Sequence, residues 1–404
     1  MYNKAMDRPA VAAIVTLTVF APAWGCSWPA DPTASSDATA RTSSETATAP
    51  SVAVPSAAAS ETAVTNLAAG SSSPSAPSVS TAPAGSARPA GGDTPNSPFS
   101  SCVVGTWNLE HLSPASSRGF PENTKGGPKF VPRTRRDLEY IAGVIRRLRF
   151  CLVVLQEVAA EDTPDGPVSP QLAELAVAIG GDWQHRVAQS GGKQRVAILF
   201  DARRVALSAV CETRFPGRKV NGKNLFDRQG LYAHATFLQD GRPRNDLVVL
   251  GVHLASGQGN TKNHDQAMHA YAQLLRTERG RSKCIPKNEH DILIAGDFNA
   301  SRFDRKRERF WNEMESSGWE VLADSADRYP ATRLSGVPLK LQTSAIDYVI
   351  VTNSDGGLAG EEIRARNATV HSELLDGTNP EDFRRRASDH LPVTVQITVG
   401  PDRD

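Results

Sequence analysis

Four apolar runs in this chain end in residues able to do chemistry. Val103-Val104-Gly105-Thr106-Trp107 leads into Asn108 and Glu110, and Leu152-Val153-Val154-Leu155 leads into Gln156 and Glu157. Val248-Val249-Leu250-Gly251-Val252 leads into His253, and Ile292-Leu293-Ile294-Ala295-Gly296 leads into Asp297 and Asn299. A further group, Ser388-Asp389-His390-Leu391-Pro392, adds an acid and a histidine. Runs this short and this apolar read as buried strands, which bring their ends to one rim of a sheet. Ionisable groups gathered there lose hydration, a cost that a metal or a charged substrate offsets. One such end is an ordinary turn, because Asp and Asn are common turn residues. The whole set is not explained that way.

The donors are mostly oxygen. Glu157, Asp389, Asn108 and Glu110 suit Mg2+ or Mn2+, which prefer carboxylate, carbonyl and water. Cysteines and clustered histidines are too few for zinc at these positions. A hard cation among acids and histidines points to phosphoester hydrolysis, which needs a water nucleophile, a group to orient it and positive charge around the phosphoryl oxygens. Two other chemistries are excluded. His264 and His269 are five apart, unlike the i, i+4 histidine pair of helical zinc proteases, and Ser256 in HLASGQG lacks a G-x-S-x-G elbow.

The elements that must position these residues alternate in type. Strands are expected at Cys102–Leu109, Cys151–Val158, Arg195–Phe200, Leu231–Phe237, Leu247–Leu254, Asp291–Ala295, Ile346–Val351 and Val393–Val399. Apolar residues at Leu138, Ile141, Ile145 and Leu148 predict an amphipathic helix over Thr134–Arg149. Further helices are expected at Gln171–Ile179, His264–Arg279 and Asp304–Glu315. The pattern implies one domain with two sheets packed face to face and helices outside.

The ordered set TWNLEHL, LQEV, HL, GDFN, IDYV and SDHLP resembles the endonuclease/exonuclease/phosphatase superfamily, whose fold is that of deoxyribonuclease I. The likeness covers essentially all of residues 102–400. Each motif is weak alone, and six in order make the signal. The resemblance implies an α/β fold (α+β in some schemes), a four-layered sandwich of two packed mixed β-sheets flanked by helices. It also implies a divalent metal, Mg2+ or Mn2+, and attack of water on a phosphoester. Carried over by position, Glu157 is the principal metal ligand, with Asn108, Glu110 and Asp389 near the metal. Asp297 orients or activates the water, with Asn299 beside it. His253 and His390 bind the scissile phosphate, and Asp347 orients His390. Arg195 and Arg228 resemble phosphate contacts, a task that guanidinium forks suit; the alternative for each is a plain surface arginine. One departure stands out: Asn263 and His264 precede Gln266-Ala267 where relatives often carry an arginine.

Composition divides the chain. Lys4 and Arg8 precede an apolar run from Ala10 to Ala23, too short to span a bilayer comfortably, and Ala23-Trp24-Gly25-Cys26 follows. Residues 1–26 therefore read as an export signal. Two outcomes stay open: lipoprotein processing with Cys26 acylated, or plain secretory cleavage nearby. Residues 27–100 are almost wholly Ala, Ser, Thr, Pro, Gly and Val, unable to bury enough surface to offset ordering, and read as a flexible tether. The catalytic domain is expected at 101–404.

Among the 404 residues the formal net charge is +1, too small to announce a nucleic-acid binder. Four cysteines remain beyond Cys26, and no two form a Cys-x-x-Cys pair. An even number in an exported domain suggests two disulfides, against an alternative of four buried thiols. Cys102 and Cys151 each open an apolar run six residues before a site residue, Asn108 and Glu157, so adjacent parallel strands would pair them. Cys211–Cys284 follows by elimination.

Three functions compete. One is an extracytoplasmic nuclease, supported by basic clusters at Arg133–Arg136, Arg146–Arg149 and Arg214–Lys223. Another is a phosphatase or phospholipase-like hydrolase of small phosphoesters, inositol phosphates or lipid head groups. The third is a binding module with a degenerate site. The expected partner is a phosphoester substrate, the nucleic-acid case included, with a lipid anchor if Cys26 is acylated. The expected state is a monomer in the secreted or envelope compartment.

Overall fold

The computed structural model describes residues 100–400, apart from 114–132, 193, 214–218, 221–222, 225, 227, 257–266, 268–269, 272, 274, 276, 306–307, 337 and 353–362. The expected export signal, Cys26 and the tether up to residue 99 lie outside the described residues, as do His264 and His269.

Two six-stranded mixed sheets carry the domain. In chain order the strands of the first are β1 (Ser100–Leu112), β2 (Phe150–Val158), β3 (Trp183–Val187) and β4 (Arg195–Asp201). The second takes β5 (Val205–Glu212), β6 (Leu231–Gln239), β7 (Arg242–His253), β8 (Ile292–Asp297), β9 (Trp319–Val321) and β10 (Asp347–Thr352). The chain then returns to the first sheet with β11 (Ile363–Val370) and β12 (Val393–Val399). Spatial order is β11-β12-β1-β2-β4-β3 in one sheet and β9-β10-β8-β7-β6-β5 in the other.

Each sheet has one parallel pair near its centre. In the first, β1 runs beside β2 from Val104↔Leu152 to Asn108↔Gln156. In the second, β7 runs beside β8 from Val248↔Ile292 to His253↔Asp297. These strands are buried on both faces, so their sequences are continuous apolar runs instead of alternating ones. Edge strand β3 alternates intermediate and exposed positions and was not anticipated from the sequence.

Three cores follow from this layering. Val104, Val154, Val249, Leu293, Val349 and Val395 fill the space between the sheets. Gly251 permits close approach there: a Cβ on it would lie 2.7 Å from methyls of Val154 and Val196 on the facing sheet. Outside the first sheet, Trp107 and Val153 pack with α1 (Arg135–Arg147), α2 (Pro170–Ile179) and a short helix, Pro380–Arg386. Outside the second, Leu250 and Ile294 pack with Tyr271, Trp311 and Met314; the last two lie on the helix Glu308–Ser316. The result is the expected four-layered sandwich. Helix α1 begins at Thr134, whose hydroxyl and the Asp137 carboxylate form a capping box.

Two disulfides are present, Cys102–Cys151 and Cys211–Cys284, with Cα separations of 5.9 and 6.1 Å. The first clamps the starts of β1 and β2. The second ties β5 to the segment preceding β8. No helix among the described residues is long and apolar enough to cross a membrane.

One member of the first basic cluster is buried, contrary to the expectation of an exposed basic face. Arg133 is 5% exposed and donates to the carbonyls of Leu109, Glu110, Arg384 and Arg385. Arg146 donates to Ala178 and Ile179 at the end of α2. Arg133 thereby closes the end of β1 and is not available to a phosphate backbone, whereas Arg146 stays on the exposed surface. Much of the Arg214–Lys223 cluster lies outside the described residues.

Candidate active site

The C-terminal ends of β1, β2, β7 and β8 and the start of β10 meet at one rim. The pairing that sets His253 beside Asp297 also sets Asp297 opposite Asp347. Asn108 crosses from the first sheet to the second, its amide donating to Asp297 Oδ2 at 3.0 Å and to Glu157 Oε1 at 3.3 Å. The loop before β12 brings in Asp389 and His390. Ser388 fixes that loop by donating to the Asn108 carbonyl at 2.5 Å, and Trp107 donates to the His390 carbonyl at 2.9 Å. A cavity of about 170 Å³ results, lined by Glu157, Asp297, Asp389, His253 and His390 with Glu110, His111, Gln194, Arg228, Ser256, Asn299, Arg333 and Arg384.

The acids and histidines are in close register. His390 Nδ1 lies 2.8 Å from Asp347 Oδ2, leaving Nε2 3.9 Å from Asp297 and 3.6 Å from Asp389. Thr332 also donates to Asp347 Oδ2, at 2.5 Å. His253 Nε2 stands 3.7 Å from Asp297 and 3.8 Å from Glu157. Asp297 Oδ1 accepts from the Asn299 N–H at 2.8 Å, so both its oxygens are oriented.

Burial and charge set the protonation states. Burial, reinforced by Asp347, pushes the Asp297 carboxyl up to about 7. Burial alone would lower His390, but the carboxylates of Asp347, Asp389 and Asp297 outweigh it and push the imidazole up to about 10. His253 has burial and Arg228 against its charged form and is held well below the usual range. Burial also works against the Glu157 carboxylate, yet His111 and the other two histidines pull it below the ordinary range.

Of the expected site residues, the structure brings together Asn108, Glu110, Glu157, Arg228, His253, Asp297, Asn299, Asp347, Asp389 and His390. Glu110 faces the 384–389 segment, accepting from Arg384 and from the Asp389 N–H. Arg195 is not among them. It is 2% exposed, and its guanidinium donates to the carbonyls of Ala188, Gln189 and Gly192 and to Asp162. Its task is to pin the turn before β4, so the expected phosphate contact is withdrawn. Arg228 reaches the cavity while donating to the carbonyls of His253 and Leu254.

Sequence reasoning missed four residues of the cavity. His111 is buried, with Nε2 2.9 Å from Glu157 Oε2. Gln194 links His111 to Arg228. Arg333 donates to Asp389 Oδ2 at 3.2 Å, and Arg384 holds Glu110. His111 had a signal, since it stands within TWNLEHL. Backbone strain marks the same place: Glu110, His111, Glu157 and Asn299 all have positive φ, among seven such non-glycine residues described. Strain of this kind concentrates at functional sites.

A profile described as "Endonuclease/Exonuclease/phosphatase family" matches residues 105–390. The chain belongs to that family. Members hydrolyse phosphoester bonds with a divalent metal, so this chain is a phosphoester hydrolase. No curated protein sequence matches it. Among solved structures, Danio rerio TDP2 complexed with single-stranded DNA product is similar at TM-score 0.49 and 16% identity, covering 74% of this chain and 99% of that one. A family protein from Bacteroides thetaiotaomicron is similar at TM-score 0.48 and 16% identity, covering 74% and 96%. ANGEL2, a 2',3'-cyclic phosphatase in complex with adenosine-2',3'-vanadate, is similar at TM-score 0.49 and 15% identity, covering 74% and 96%.

Proposed function

We propose that this family member is an exported phosphodiesterase of endonuclease type, using Mg2+ or Mn2+. The observation that carries the reading is the triplet Asp347–His390–Asp297 facing Glu157 and His253 in one small polar cavity. Export is supported by the N-terminal signal pattern and by the two disulfides.

The residues present fit a divalent cation. Glu157 Oε2 is buried without a hydrogen bond of good geometry, in a cavity that also presents the Asp389 and Asp297 carboxylates. Glu157 would be the principal ligand, with Asn108, Glu110 and Asp389 near it. When bound, the cation supplies positive charge to the phosphoryl oxygens and a polarised oxygen environment.

The chain's own groups divide the remaining work. Asp297, with a pKa raised toward neutrality and both oxygens held, orients water and takes its proton. Asn299 fixes that carboxylate through its backbone N–H, and its amide donates to the Leu254 carbonyl at 2.9 Å. His390, protonated and held through Nδ1 by Asp347, presents Nε2–H to the phosphoryl group or the leaving oxygen. His253, held neutral, donates one hydrogen bond to a phosphoryl oxygen. Arg228 and Arg333 add positive charge at the wall.

A second reading is a phosphatase of small phosphoesters, which would place a single phosphoryl group in the same cavity. One experiment separates the two. Purified protein is incubated with plasmid DNA, RNA, a generic phosphodiester and inositol phosphates, each with Mg2+, Mn2+ or chelator. Cleavage of nucleic acid that chelator abolishes is expected. Release of phosphate from the small esters alone would replace the first reading by the second, and activity that survives chelation would overturn both. Asp297→Ala and His390→Ala should each remove nearly all turnover with the circular dichroism spectrum unchanged; near-normal rates in either would refute the assigned roles.

A further inference from the structure

A second group of ligating side chains lies at the opposite end of the second sheet. His234 projects from β6 and Asp246 from the start of β7, both on the outer face, beside Val248 and Tyr232 of the outer core. Glu289 stands just before β8, on the segment that Cys284 ties to β5. One ligand atom from each lies within 4.8 Å of those of the other two. None of the three lines the active-site cavity.

The three side chains converge on one point. His234 Nε2 is buried and makes no hydrogen bond of good geometry, although Asp246 Oδ2 is 2.8 Å away and Glu289 Oε2 is 3.7 Å away. Both carboxylates therefore lie within reach of the imidazole nitrogen. Tetrahedral zinc, bonded at about 2.1 Å, sets its ligands about 3.4 Å apart, and the observed separations bracket that spacing. The other atoms are already committed. Glu289 Oε1 accepts from the Asp291 N–H at 2.6 Å, which turns Oε2 toward the histidine. His234 Nδ1 is 2.7 Å from Ser208 Oγ. That contact fixes the ring and leaves Nε2 on the side of the two carboxylates. Such an outer partner is the usual companion of a metal-bound histidine.

We propose that His234, Asp246 and Glu289 form a structural site for a borderline transition cation such as Zn2+, distinct from the catalytic cation. One imidazole nitrogen and two carboxylates suit Zn2+ and disfavour Ca2+ and Mg2+, which take oxygen alone. The site would fasten the segment before β8 to β6 and β7. Its solvent side is open at Asp246, where water completes the coordination.

The test uses the whole protein, stripped with chelator and returned to millimolar Mg2+ so that the catalytic centre is occupied. Zinc bound per chain is then measured, together with the melting temperature. Wild type is expected to bind one zinc equivalent more than His234→Gln or Glu289→Gln, and to gain thermal stability that both variants lack. Equal zinc uptake by all three proteins would overturn the site. Crystals of the wild-type protein soaked in zinc provide a test that needs no variant. Anomalous scattering at the zinc edge between these three side chains is expected, and its absence at full soak would refute the proposal. Either result is independent of the substrate reading, because neither measures turnover.

Discussion

At the scale of residues, the proposed chemistry turns on the Asp347–His390 contact. A buried imidazole needs a partner to fix its tautomer, and Asp347 supplies one at 2.8 Å while Thr332 holds the same oxygen. Asp347→Asn keeps the shape but removes the charge that raises His390 and offers an N–H where an acceptor is required. The expected loss is in kcat, on the order of 10²–10⁴-fold, the range of general acid–base catalysis. KM should change little, because the proposed phosphate contacts of His253 and Arg228 are left in place. A loss confined to KM would show that Asp347 serves binding alone.

At the scale of elements, the strands of both parallel pairs were legible because each is buried on both faces and so forms a continuous apolar run. Their catalytic ends were legible for the same reason, since the polar residues interrupt those runs. Strand β11, with the sequence IRARNATV, was not, because two arginines and an asparagine break its pattern. The helix Pro380–Arg386 escaped too: it is short, and its Phe383 is the one residue it buries. Arg333 and Arg384 were invisible because their roles depend on contacts 56 and 274 residues away. Arg195 was misread because a buried arginine and a phosphate-binding one look alike in sequence.

The His234 cluster gives a prediction at this same scale. The carboxylates of Asp246 and Glu289 raise His234 to about 9, above its ordinary 6.5. The folded protein therefore holds a proton that the unfolded chain gives up. That stabilisation is complete below about pH 6.5 and is lost as pH rises through 9. Burial likewise raises Glu289 to about 7, which acts in the same direction at lower pH. In chelator, the melting temperature of wild type should fall more steeply from pH 6.5 to 9 than that of His234→Gln. Parallel curves would show that the pair contributes no pH-dependent stability.

Over the whole molecule, the two disulfides close loops of 49 and 73 residues. Loop-entropy arguments give roughly 4 kcal/mol for each at these lengths, as an upper figure. Urea unfolding of Cys102→Ser/Cys151→Ser should therefore show a clear loss of stability, and a loss below about 1 kcal/mol would mean the bridge constrains little. The double variant at Cys211 and Cys284 should lose a similar amount.

The cavity has one further consequence, for how the protein can be watched unfolding. The groups gathered there come from both sheets: Asn108 and Glu157 from one, His253, Asp297 and Asp347 from the other. The sheets meet closely at Gly251, which leaves room for Val154 and Val196. Turnover is thus a gauge of the gap between two slabs, finer than any measure of strand content. Any state in which both sheets persist but have drifted apart would look folded to far-ultraviolet light and be silent in the assay.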